Sequence, residues 1–245
     1  MNSIRLISLL SASVLIANTE RLTILERAQR GDAECQCIVG AGMEDEVQGM
    51  VWLHKSAAQN FAPAQAILGR RYYVGEGVER NRFAAESWYR KAAEQGDADG
   101  QYGLGFLHQK GDIVKKDDSV AVAWYIKSAS QGHRFAQLAL GNCYYNGEGI
   151  PKDFTEAVKW YRKAAAYGLK EAQFKLGRCY ADGKGVSKDL IESYAYLNLA
   201  GATLEEARFN LNVLEKVLSQ EQIAAGQIRT KKLLEEFDAE MRTGK

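Results

Sequence analysis

"LGNCYYNGEGIPKDFTEAVKWYRKAA", residues 140–165, sets two glycines, Gly147 and Gly149, between one tyrosine-containing stretch and another. A Gly-x-Gly can cradle a phosphate at a helix N-terminus, or it can turn the chain between two helices. The rest of the chain decides. Leu-Gly occurs at 68–69, 104–105, 140–141 and 176–177, each 36 residues after the last. The same period aligns Trp88, Trp124, Trp160 and Tyr196, and next to them Tyr89, Tyr125 and Tyr161. It aligns Gly75, Gly111, Gly147 and Gly183, and further on Gly96, Gly132 and Gly168. Independent columns in one register mark an internal repeat. The Gly-x-Gly belongs to that repeat and reads as a turn. "GRCYADGKG" from Gly177 has neither the P-loop spacing nor the Ser or Thr that would follow its lysine, and no strand pattern precedes it.

Each period predicts two helices, over 64–74 and 82–95 in the first full copy. Leu68 and Tyr72 share one face, and Ala85, Trp88 and Ala92 form a stripe on the second helix. Gly69 and its equivalents fall mid-helix, where Gly is disfavoured by up to ~1 kcal/mol against Ala. That cost implies a neighbouring helix too close for a Cβ. Asp153 with Glu156, and Asp189 with Glu192, have capping-box spacing. A shortened copy precedes these. "GDAECQCIVGAG" from Gly31 resembles "GDADGQYGLGFL" from Gly96, and Trp52, Lys55, Ala57 and Ala58 close it. "TILERAQRGD" before it reads as the second helix of a terminal cap.

After Thr203 the period is lost. Thr203/Glu206 and Ser219/Gln222 have capping-box spacing before two more helices. Ile223, Leu233, Leu234 and Phe237 mark a face buried on the last repeat. Solenoid ends need caps with a polar outer side; an exposed helix recruiting a partner is the alternative. At the other end, Arg5 precedes a charge-free run from Leu6 to Thr19. It is short for a membrane span and fits a secretory h-region, although the cleavage site is poor. Export to the periplasm or medium is the preferred reading, with an apolar first helix in a cytoplasmic protein as the alternative. The organisation expected is a signal or apolar helix over 1–17, a repeat array over 18–204 and capping helices over 205–245.

The 245 residues are 46% hydrophobic and 26% charged, with 32 Lys+Arg against 31 Asp+Glu and a net charge of +1. Nothing in that balance favours nucleic acid. Basic pairs such as Arg70-Arg71 and Lys115-Lys116 lie among acids and read as solvated. Cys35, Cys37, Cys143 and Cys179 form no CxxC, and no Cys/His cluster has zinc spacing. They read as buried, reduced thiols. Cys143 and Cys179 are equivalent positions in adjacent repeats, whose helices pack too far apart for a disulfide. The three histidines share no helical spacing. No GxSxG occurs and no serine has Lys three residues on, so neither nucleophile motif is present. No cofactor, metal or catalytic residue is nominated.

The columns resemble the Sel1-like repeat family, relatives of tetratricopeptide repeats. Ala64-Gln65, Leu68-Gly69, Tyr72, Gly75-Glu76-Gly77-Val78, Ala85, Trp88, Ala92-Ala93 and Gly96 follow the family pattern in order, and the likeness covers about 31–204. His108 and Ile113 depart from it in the second full copy. The resemblance implies an all-α fold, a right-handed α-solenoid of stacked helix-turn-helix repeats, that acts as an adaptor or scaffold for a protein or peptide partner. Contact with a membrane is expected only through the N-terminal apolar segment, if that segment stays uncleaved. Some cysteine-rich proteins with similar repeats have been described as β-lactamase-like; a cell-envelope hydrolase or a structural spacer is the alternative.

One stripe of the first helices does not repeat itself. Ala66, Arg70 and Tyr73 become Tyr102, Phe106 and Gln109, then Leu138, Asn142 and Tyr145, then Phe174, Arg178 and Ala181. By resemblance to tetratricopeptide solenoids this stripe lines the concave groove. Aromatics and Arg are the residues that anchor interfaces. The candidate partner-binding residues are therefore Arg70, Tyr73, Tyr102, Phe106, Leu138, Asn142, Tyr145, Phe174 and Arg178. Packing between neighbouring first helices is the competing reading.

Overall fold

The computed structural model describes residues 23–111 and 113–243, and among them every regular element is a helix. The apolar run over 6–19 lies outside the described residues. Helix α1 covers residues 23–29. Next come α2 (Ala33–Gly42), α3 (Glu46–Ala58), α4 (Ala62–Val74), α5 (Arg82–Glu94) and α6 (Ala98–Lys110). Then follow α7 (Asp118–Ser130), α8 (Arg134–Asn146), α9 (Phe154–Ala166), α10 (Lys170–Asp182) and α11 (Leu190–Gly201). The caps are α12 (Glu205–Glu215) and α13 (Gln220–Thr243). The chain forms two compact units, 1–107 and 108–245. Each unit is built of stacked helix-turn-helix repeats, the α-solenoid arrangement expected from the period.

The turn of the opening stretch has two parts. Gly147 ends α8 in the left-handed region (φ 79°) and its N–H donates to the Cys143 carbonyl. Gly183 does the same for α10 at φ 69°. The second glycine is there for space as well as for conformation. Gly149 and Gly185 have φ of 69° and 71°. A Cβ on either would sit 2.1 Å from a backbone oxygen, that of Asp118 or of Phe154. Those are the first residues of α7 and α9, so the turn rests on the preceding repeat. In the first unit Gly77 meets the Glu46 oxygen, at the start of α3, in the same way.

The N-caps close the turn from the other side. The carboxylates of Asp117, Asp153 and Asp189 accept backbone N–H groups of the first helical turn. The N–H of each Asp donates back to the carbonyl of His108, Tyr144 or Tyr180. The expected capping boxes are therefore only half made. The aspartate's own N–H is already bonded, and Glu156 pairs with Lys159 instead.

A buried glutamine joins successive repeats. The amides of Gln36, Gln65, Gln137 and Gln173 donate to the carbonyls of Ala28, Ala57, Ala129 and Ala165. Each carbonyl lies eight residues earlier, in the last turn of the preceding helix. This pattern makes α1 the second helix of a preceding half-repeat. The mid-helix glycines meet side chains of the paired helix: a Cβ on Gly69 or Gly141 would lie 2.6 Å from the ring of Tyr89 or Tyr161.

The structure corrects several expectations. Arg71 is not solvated: it is 2% exposed and donates to the Gly40 and Glu46 carbonyls at 3.2 Å, with its Nε 3.4 Å from Glu76. It fills the space left where the shortened repeat joins α2 to α3 with three residues, 43–45. Helix α12 is capped at Leu204 with no side-chain bond, so Thr203 and Glu206 form no capping box. Ser219 and Gln222 do, reciprocally, at 3.0 and 3.3 Å. On α13 Leu233 is buried while Leu234 is 47% exposed. All four cysteines are buried and free.

Candidate partner-binding faces

In the first unit, α4 presents Arg70 and Tyr73, and α6 presents Tyr102 and Phe106. The Tyr73 and Phe106 rings meet edge-on with centroids 5.4 Å apart, and Tyr102 lies 6.5 Å from Phe106. All three rings are half-buried. Arg80 and Arg82 bring guanidinium groups to 6.0 Å from the Tyr73 ring, at cation–π range. Arg70 is exposed and grips Glu76 with both nitrogens, at 2.6 and 3.2 Å. Burial pushes the Tyr102 hydroxyl pKa up. Ala66, in the same stripe, is buried.

In the second unit, α8 presents Leu138, Asn142 and Tyr145. Tyr145 meets Phe154 edge-on at 5.0 Å, and the Lys184 ammonium donates to its hydroxyl at 3.2 Å. That bond ties the turn after α10 to the end of α8. Asn142 accepts the Tyr161 hydroxyl proton at 2.9 Å, which satisfies a buried phenol. Leu138 packs partly on the core. Arg178 on α10 is exposed and makes no ion pair among the described residues; its guanidinium lies 5.8 Å from the Phe174 ring. Phe174 is a correction. It is 5% exposed and packs with Tyr194, Leu197, Leu211 and Leu214, so it belongs to the core. Sequence reasoning missed Arg80, Arg82 and Lys184. The signal for Lys184 is its place in the Gly-x-Gly turn of the next repeat, 39 residues after Tyr145.

Another face of the repeats is internally saturated. Lys55, Lys91, Lys127 and Lys163 each lie 4.2–4.5 Å over the tryptophan three residues earlier, Trp52, Trp88, Trp124 and Trp160. Those rings are covered by their own helix. The histidines have separate structural places. His54 is 3.2 Å from the Tyr72 hydroxyl, and burial lowers its pKa. His133 caps α8 through Nδ1. Among the described residues no group of His, Cys, Asp or Glu is placed to hold a metal ion. No described helix is long and apolar enough to cross a membrane.

The family model of the Sel1 repeat matches residues 39–61, 62–97, 98–133, 134–168 and 170–202. The chain belongs to the Sel1 repeat family. The first match is the shortened copy, and the others begin at or near the start of α4, α6, α8 and α10. Among solved structures, this Sel1 repeat protein is similar to a protective antigen of uropathogenic Escherichia coli with an SLR fold. The two share 33% identity with a TM-score of 0.79, over 92% of this chain and 51% of the antigen. A Sel1 repeat protein from Oxalobacter formigenes is 32% identical with a TM-score of 0.69, over 80% of this chain and 60% of that one. The chain thus spans about half to three-fifths of the length of these two relatives. A Klebsiella pneumoniae sel1 repeat protein, 19% identical with a TM-score of 0.55, shares the fold. No curated protein matches the sequence. Sel1 repeats typically mediate protein–protein interaction and are in general non-catalytic scaffolds.

Proposed function

We propose that this Sel1 repeat protein is an adaptor that holds a partner segment against the non-repeating stripe of its first helices. The observation that carries this reading is the Tyr73–Phe106–Tyr102 cluster. It sits at positions that do not repeat, keeps its rings half-exposed and is bordered by guanidinium groups. Aromatic surface left in water at variable positions of a repeat array is regained as burial when a partner covers it. In the second unit Arg178, Asn142 and Tyr145 offer polar anchors of the same kind. Phe174 has no part in the face.

The test is Tyr102→Ala with Phe106→Ala, assayed for partner capture and thermal melting together. An aromatic hot spot truncated to Ala costs ≥ ~2 kcal/mol of binding, roughly a 30-fold loss of affinity. The expected outcome is lost capture with little change in Tm. A large fall in Tm while the remaining folded protein still captures its partner would assign the rings to packing and reject the proposal.

A further inference from the structure

The last repeat is closed by α12, which buries Ala207, Leu211 and Leu214 against α11. Its outer side is not the polar surface that ends a repeat array. Phe209 is 68% exposed, Val213 48% and Val217 71%. Phe209 and Val213 lie one turn apart on this helix, at i and i+4, and Val217 follows just past its C-terminal end. Exposed Glu206 lies a turn before Phe209, and exposed Lys216 lies a turn after Val213. Neither is ion-paired among the described residues. Glu206, Phe209, Val213 and Lys216 are spaced three, four and three apart, which is the seam spacing of paired helices. The seam is apolar at its centre and carries opposite charges at its two ends.

We propose that this seam pairs with the same seam of a second copy of the chain, with the two α12 helices antiparallel across a twofold axis. In that arrangement Phe209 of each copy meets Val213 of the other. Glu206 of each meets Lys216 of the other. A twofold contact is self-complementary by construction, and this sequence satisfies the condition only in the antiparallel sense. A parallel pair would set Glu206 against Glu206 and Lys216 against Lys216. The patch covers about three helical turns, so the association is weak and concentration-dependent, as for interfaces below ~1,200 Å². It uses a surface separate from the first-helix faces and does not depend on the adaptor reading.

The test is sedimentation equilibrium of the full chain from about 10 μM to about 1 mM, a range suited to a small interface. The expected result is a monomer–dimer equilibrium. Phe209→Asp should weaken it at least ~10-fold, as for loss of a central anchor, with an unchanged circular dichroism melt. Lys216→Glu alone should also weaken it, and adding Glu206→Lys should restore it, because the exchanged charges again face opposites. A wild-type chain that stays monomeric throughout, including one that binds lipid vesicles as a monomer, overturns the proposal. So does a dimer indifferent to Phe209→Asp, or one that the charge exchange does not rescue.

Discussion

Gln137 differs from its equivalents by one missing bond. Gln36 and Gln65 each donate to a carbonyl of the preceding helix and also accept an amide proton, from Gln59 at 2.9 Å and from Gln95 at 2.7 Å. Gln137 makes the first bond, but its buried Oε1 has no donor among the described residues. The position equivalent to Gln59 and Gln95 holds Tyr167, whose ring is 44% exposed. An unmet buried polar atom costs ~1–3 kcal/mol. Tyr167→Gln is therefore expected to raise Tm by ~2–4 °C, the shift that ~1 kcal/mol gives in a domain of this size. A fall in Tm would mean that the Tyr167 ring packs to more effect than the restored bond. The glutamine column was legible in the sequence, but the carbonyl it serves was not, because backbone leaves no mark in a residue pattern. Arg71 was legible in principle. Its equivalents Leu107, Cys143 and Cys179 are all buried, and a charge in an apolar column must find acceptors there. Reading it as half of an exposed basic pair set local charge above the column.

The two glycines of each turn serve the helices differently, and substitution separates them. At Gly147 a Cβ would come no nearer than 3.3 Å to a neighbour, so Gly147→Ala carries mainly the left-handed backbone cost of ~1–2 kcal/mol. At Gly149 the same conformation is combined with a Cβ 2.1 Å from the Asp118 oxygen. The backbone of α7 or of the turn must move, which adds ~1–3 kcal/mol. Equilibrium urea unfolding should show Gly149→Ala to be clearly the worse of the two; equal losses would mean that the turn relaxes without cost. The period fixed the helix limits within about two residues, 64–74 against Ala62–Val74 for α4. Where the period ended, the reading weakened. Thr203 and Glu206 had the right spacing, yet the chain enters α12 one residue later, at Leu204.

Over the whole molecule, burial lifts the thiol pKa of Cys37 and Cys179 to about 11 and of Cys143 to about 12. In the unfolded chain these thiols ionise near their ordinary value of 9.0. Between the two values the unfolded state binds fewer protons than the native state, so stability falls as pH rises. The loss starts near pH 9 and approaches ~1.4 kcal/mol per pH unit for each thiol until it ionises in the fold. Tm measured from pH 8 to 10.5 should drop, and Cys143→Ala with Cys179→Ala, though less stable at neutral pH, should show a flatter slope. An equally steep slope in the double variant would place the effect on other groups. Much of the candidate faces was legible because core columns repeat and these do not. Phe174 broke that rule: the last repeat has no successor, so α11 and α12 close over it with Tyr194, Leu197 and Leu211. A residue at the end of a series takes its environment from elements outside the period.

The glutamine joint carries a consequence for how the array can change length. Each glutamine bond between one repeat and the next is made by a residue only eight positions downstream of its acceptor. While the Gly149 turn and the Lys184–Tyr145 bond tie neighbours over about a full period, this joint is thus written locally. Contacts this short in sequence favour rapid zipping from any starting repeat. They also make the repeat an exchangeable cassette: adding or removing one whole period leaves the remaining glutamine joints intact, because donor and acceptor travel together.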